Sequence, residues 1–170
     1  MKKKIGLLMI LLIIGTAGLC GCNDVSNSND NSYDYNSFNF NKVKVTINVD
    51  VNPIGIINFT QLKVKFPSDD PSAKYFEGAE ISKVDFVLYG NNESTGDFSI
   101  DSKMVLPKNL TVVWFKHFQI YADDLHQVLS DAVKNSKEIE WVASGVFILA
   151  PPNHSTPIQV TFESESFLTH

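Results

Sequence analysis

Several residues in this chain are of types that could do chemistry, and their spacing decides what each could do. Asp123, His126 and Ser130 are the residue types of a nucleophilic triad. A triad needs one imidazole nitrogen oriented by the acid while the other faces the nucleophile. Side chains stacked along one helix face seldom achieve that, and no G-x-S-x-G elbow occurs elsewhere in the chain. The histidines, His117, His126, His154 and His170, form no i, i+4 pair of the kind a helical metal site uses. They read as solvent-facing or hydrogen-bonded side chains. Asp69-Asp70 and Asn91-Asn92-Glu93 with Asp97 offer the oxygen ligands calcium takes, but neither run has the spacing of a calcium loop, so both read as solvated turns. Asn58, Asn92, Asn109 and Asn153 each begin an Asn-x-Ser/Thr sequon and are candidate glycan acceptors if the domain is exported by a host that glycosylates asparagine. The expectation is no catalytic residue, no cofactor and no metal.

The cysteines carry a sharper signal. Lys2, Lys3 and Lys4 precede an apolar run from Ile5 to Leu19, followed by Leu19-Cys20-Gly21-Cys22. The run is 15 residues long, short of the roughly 20 a helix needs to span a bilayer. A basic start, a short apolar middle and small residues near a cleavage point are the layout of a signal peptide. The last four residues resemble the lipobox of secreted lipoproteins, with residues 1–21 removed and Cys22 kept and acylated. One acyl chain holds a protein only marginally, whereas a diacylglyceryl group on Cys22 supplies two. The alternatives are an uncleaved membrane helix ending near Cys22, or ordinary secretion. All three readings place the remaining chain outside the cytoplasm, and the lipoprotein reading anchors it to the membrane through Cys22.

With Cys20 removed and Cys22 acylated, no free thiol remains for a disulfide framework, a thiolate metal site or a cysteine nucleophile. The domain must then hold together by its core alone. From residue 22 onward there are 11 lysines against 19 carboxylates, a net charge of −8, and the chain contains no arginine. An acidic body without a guanidinium fork is a poor match to phosphate backbones, which excludes nucleic acid as a partner.

The elements that must position these residues follow in order. Asn23 to Asn41 is dominated by Asn, Ser and Asp, and with Cys22 it reads as a tether, residues 22–41, with a random-coil reach of about 25 Å. Its Tyr33, Tyr35, Phe38 and Phe40 could instead make a sticky or strand-adding segment. From Lys42 the pattern becomes period two: Val43, Val45, Ile47, Val49 and Val51 alternate with polar residues, a half-buried strand that Asn52-Pro53 ends. Further strands are expected at about Ile56–Phe66, Ile81–Tyr89, Asp97–Leu106, Leu110–Ile120, Glu138–Leu149 and Ile158–Phe167, with a loop over Pro67–Glu80. Leu110–Ile120 is apolar on both faces and is expected to be a central strand. One helix is expected, at about Ala122–Asn135. Leu125, Val128, Leu129, Ala132 and Val133 form its apolar stripe, and Asp123 or Tyr121 its N-cap. The architecture that follows is all-β: a two-sheet antiparallel sandwich of about seven strands over residues 42–168, of immunoglobulin or fibronectin III type, with one α-helix before the last two strands.

Three of these features together resemble one family. They are the alternating first strand running into Val51-Asn52-Pro53, the lone late helix, and a hairpin of the form Ser144-Gly-Val-Phe-Ile-Leu149 then Thr156-Pro-Ile-Gln-Val-Thr-Phe-Glu-Ser-Glu-Ser-Phe167. The family is the water-stress and hypersensitive-response (WHy) domain of the type-2 late-embryogenesis-abundant proteins, and the resemblance covers residues 42–167. It departs at Ile54, where the family usually carries a polar residue. The resemblance implies two packed antiparallel sheets and a role in protecting other proteins or membranes during desiccation-type stress, with no catalytic residues. The expected function is a non-enzymatic, lipid-anchored cell-surface protein that protects or binds proteins or envelope components. The alternatives are an adhesin or accessory subunit of an envelope complex on an unrelated sandwich, and, third, an envelope hydrolase.

Overall fold

The computed structural model describes residues 33–152 and 154–169. The signal segment, Cys22, the tether as far as residue 32, Asn153 and His170 lie outside the described residues. Two antiparallel sheets pack face to face, as the alternation of the sequence requires. The small sheet has the order β1–β2–β6, with β1 at Lys44–Asn52, β2 at Ile56–Lys65 and β6 at Thr111–Tyr121. The large sheet has the order β4–β3–β7–β8, built from β3 (Glu80–Gly90), β4 (Glu93–Ile100), β7 (Ile139–Ala150) and β8 (Ile158–Glu163). Two short strands complete it: β5 (Met104–Val105) pairs with β3, and β9 (Phe167–Thr169) pairs with β7.

Local chemistry sets the boundaries. Val45, Ile47 and Val49 of β1 are buried, and the intervening polar side chains face out. The strand ends at Pro53-Ile54-Gly55, where the Asn52 side chain accepts from the Ile54 N–H at 3.0 Å. Gly55 takes the left-handed conformation, φ +85°, that a three-residue hairpin loop needs at its last position. In β2 the inward set changes phase, from Ile57 and Phe59 to Leu62 and Val64. Thr60 is the extra residue, and the register slips beside it on both neighbours. Asn91 and Asn92 both adopt positive φ, 49° and 67°, making a two-residue loop with its first-type mirror twist between β3 and β4.

The structure changes several of the expected assignments: Asp97–Leu106 is divided between β4 and β5 and Ile158–Phe167 between β8 and β9, so that nine strands rather than seven are present among the described residues and three rather than two follow the helix. Leu110–Ile120 is not central: β6 is the outer strand of the small sheet, and Phe115 is 75% exposed on its outward face. Continuous apolar character arises here because one face packs inward while the other stays uncovered. The Pro67–Glu80 loop contains a 3-10 helix, Pro71–Phe76, whose N-cap Asp70 accepts from the Ser72 N–H at 3.0 Å, burying Ala73 and Phe76. The helix α1 is shorter than its stripe, at Gln127–Lys134, with His126 at its N-cap; a separate 3-10 turn occupies Ala122–Asp124. Leu129, Ala132 and Val133 are buried, but Val128 is 63% exposed. Finally, residues 33–41 do not hang free as tether. Tyr35 and Phe38 are buried, Tyr33 and Phe40 pack against the core, and Phe76 lies edge-on to all four rings at 4.8–6.3 Å. Polar composition argued for a coil, but four aromatic rings in eight residues outweigh it by the apolar area they bury.

Each open side of the sandwich is closed by a specific contact. On one side the Glu165 N–H donates to the Val45 carbonyl at 2.8 Å, beside the Lys44–Glu165 ion pair. On the other, Trp114 Nε1 donates to the Ser102 carbonyl at 2.9 Å. The core between holds Trp141, Phe59, Phe147, Leu62 and Leu88, all fully buried. At its outer margin Gly145 pairs with Phe86, and a Cβ on Gly145 would stand 2.1 Å from the Asp85 carbonyl oxygen and 2.7 Å from Phe86 Cβ. Gly145→Ala is therefore expected to cost about 3 kcal/mol, the upper part of the overpacking range. That lowers Tm by on the order of 10 °C. A thermal melt unchanged by the substitution contradicts this packing.

The Lys42 ammonium donates to Asp70 at 2.8 Å, and this bond first, then the Ser72 N–H, holds the Asp70 carboxyl below its ordinary value. A depressed carboxyl contributes stability that is complete above the unfolded value, about 3.9, and is lost as pH falls through the lower folded value. Wild type is expected to exceed Asp70→Asn in denaturant midpoint near neutrality, with the gap closing below about pH 4. A gap that stays constant down to acid pH overturns the assignment.

Candidate functional site

The outward positions of the large sheet come into register as rows that cross the strands. Asp97 of β4 pairs with Val87 of β3, Val87 with Ser144 of β7, and Ser144 with Glu163 of β8. The adjacent row is Ser99, Asp85, Val146 and Thr161, by the same ladders. Between the two rows lies an open furrow of about 360 Å³, floored by the backbone around Gly145, Phe86 and Phe98. A second depression of about 310 Å³ lies on the other side of Ser144, bounded by Tyr89, Asn92, Val142 and Glu163. The small Ser144 side chain leaves the middle low, while Val87 of β3 and Val146 of β7 make its walls apolar.

The electrostatics are one-sided. Asp85 is held by Lys83 at 2.9 Å and accepts from the Ser99 hydroxyl at 2.7 Å. The Lys83 bond first, then that of Ser99, lowers its carboxyl pKa. Asp97 and Glu163, at the two ends of the central row, are exposed and make no ion pair among the described residues. The outer face of the small sheet carries the opposite sign, with Lys63 beside Val113 of β6 and Lys65 between Thr111 of β6 and Lys44 of β1. The furrow therefore presents an apolar floor with Asp97 exposed on one wall and Asp85 held by Lys83, while Glu163 borders the second depression.

The residues singled out from the sequence are dispersed over the fold. Asp123 pairs with Lys134, His126 is exposed at the start of α1, and Ser130 is buried within it. These three sit in different environments. His117 is exposed on β6, and His154 Nδ1 lies 2.6 Å from the Thr156 carbonyl oxygen. Asp70 is a helix cap and Asn91-Asn92 a hairpin loop. Among the described residues no three His, Cys, Asp or Glu side chains converge as a metal site. Of the sequons, Asn92 is exposed at the rim of the second depression, and Asn109 is exposed with its side chain accepting from the Thr111 N–H at 3.2 Å. Asn58 is half-buried and accepts from Gln119 Nε2 at 3.4 Å.

Sequence reasoning missed the furrow. It lies where the β3–β4 hairpin meets β7 some fifty residues later, and only the pairing register brings Asp97, Val87 and Ser144 into one line. The one local signal was Ser144-Gly145, two small residues inside a strand otherwise made of large ones.

No protein-family model matches the chain, and no curated protein matches it. Solved structures do show likeness. The chain is similar to a protein from Archaeoglobus fulgidus, at 11% identity and a TM-score of 0.41, covering 75% of this chain and 95% of that one. It is similar to an Arabidopsis thaliana protein known from its solution structure, at 14% identity and a TM-score of 0.44, covering 72% of this chain and 76% of the other. A third likeness, at 16% identity and a TM-score of 0.38 over 75% of this chain and 72% of the other, is to a protein described as late embryogenesis abundant.

Proposed function

We propose that this chain is a non-enzymatic protein of the outer cell surface, anchored by lipid at Cys22, whose water-stress-type sandwich binds or shields proteins or envelope components. The observation that carries the reading is the furrow itself: open, floored by small and apolar groups, with Asp97 exposed on its wall and Asp85 held by Lys83. Enzymatic sites hold titratable groups ready around a reacting atom, whereas here the Asp85 carboxylate is taken up by Lys83 and Ser99 on an open surface. A polar, acidic exterior with a net charge of −8 from residue 22 onward keeps such a domain hydrated and separate from its neighbours.

A second reading, an adhesin or accessory subunit of an envelope complex, is favoured by one feature, the edge strand β6 with Phe115 uncovered on it. An exposed edge can add a strand from a partner. The two readings part experimentally. The first expects a labile enzyme dried and rehydrated with this protein to keep more activity than with an equal mass of albumin. Equal recovery counts against it, and one stoichiometric partner captured from solubilised envelope favours the second. Under either reading Cys22→Ser is expected to move the protein from the membrane to the soluble fraction, and retention at the membrane contradicts the lipid anchor.

A further inference from the structure

The two sheets turn their outer faces in opposite directions, and those faces are complementary in character. On the large sheet the furrow is walled by Val87 and Val146, with the exposed Asp97 carboxylate on its β4 side. Asp85 is already held by Lys83, whereas Asp97 has no ion-pair partner among the described residues. On the small sheet the Phe115 ring stands clear of the surface. Lys63 pairs with Val113, the outward residue two before Phe115 on β6, so lysine and ring rise from diagonal positions, about 7 Å apart. Lys63 and Lys65 make no ion pair among the described residues. One face thus offers an uncovered ring beside free cations, and the other an apolar hollow beside a free carboxylate. Apolar surface left wet on both sides is what association removes from water.

We infer that the outer face of the small sheet docks on the outer face of the large sheet of a second copy of this chain, with Phe115 in the furrow and Lys63 against Asp97. This names the partner of the contact surface proposed above and rests on that reading. An apolar cavity of about 150 Å³ holds a benzene ring, so a furrow of about 360 Å³ has room for the Phe115 side chain. Ring and furrow lie on opposite faces, so two copies cannot close on each other through both contacts. The contact repeats head to tail, as an open row or a ring of several copies. A three-stranded face measures about 14 Å by 34 Å, which gives about 1,000 Å² over both partners, at the weak end of specific interfaces. Association therefore grows with local concentration, a condition that anchoring on one membrane supplies.

Disulfide trapping tests this directly, because residues 33–169 contain no cysteine. Gln61 is the cross-strand neighbour of Phe115, and Ser144 lines the furrow. Full-length Gln61→Cys and Ser144→Cys proteins are mixed in non-ionic detergent under mild oxidation, with the unsubstituted protein as control. The expected result is a mixed disulfide that forms faster than the disulfide of either variant alone. Adding Phe115→Ser to the first protein is expected to slow trapping about tenfold. Lys63→Glu in the first or Asp97→Lys in the second slows it about fivefold, and the two together restore it. Sedimentation of the unsubstituted protein is expected to show a mass that rises with concentration beyond two copies, and Phe115→Ser abolishes the rise. Trapping as fast in either variant alone as in the mixture, indifference to Phe115→Ser, a charge swap that restores nothing, or a mass that never exceeds two copies overturns the inference. The drying assay separates it from the broader reading. A protein that protects enzymes yet fails these tests loses the inference alone. One that passes them yet gives no protection keeps the inference and loses the protective function.

Discussion

Where β7 passes β3 the two backbones come so close that no side chain fits between them, and Gly145 is the residue that permits it. Phe86 folds into the space a side chain would have taken, and it stands at the centre of the ring cluster with Phe59, Phe98 and Phe118 that joins the two sheets. On the opposite face the outward neighbours on β7 are Ser144 and Val146, and the small Ser144 side chain leaves the furrow beside it open.

The remaining structure holds that pairing in place. Leu129 of α1 and Trp141 of β7 pack against Gly90 at the end of β3, so the helix covers the end of the central ladder. Trp141 also donates to Thr169 at 2.8 Å, which ties the last strand to the same point. At the opposite end Phe76 gathers Phe66, Phe38, Phe40 and Tyr35. Without a disulfide among residues 33–169, these ring contacts and the buried strands supply what cross-links supply in many exported domains.

Most strand positions were legible because alternation is local: Val45, Ile47 and Val49 announce an inward face from the sequence alone. The phase change at Thr60 was not legible, since a bulge is decided by two partners distant in the chain. Nor was the placement of β6. Val112, Trp114, Phe115 and Phe118 look the same on paper whether a strand is covered on both sides or on one, and only the topology shows which. Lys116 in the middle of that strand is the kind of charge that guards an edge, but a single lysine in an apolar run is a faint cue. Residues 33–41 misled for a different reason. Composition averages over a window, whereas burial is decided by individual rings finding a site, and Phe76 provides that site.

That N-terminal segment has a mechanical consequence. The Tyr35 hydroxyl donates to the Pro152 carbonyl at 2.8 Å, fastening the entry of the chain to the turn between β7 and β8. Any tension transmitted from the N-terminal direction is therefore met by interlocked rings before it reaches the ladder between β1 and β2. Load enters the body through a plug rather than along the end of a strand, so the outermost strand is spared being peeled away one hydrogen bond at a time.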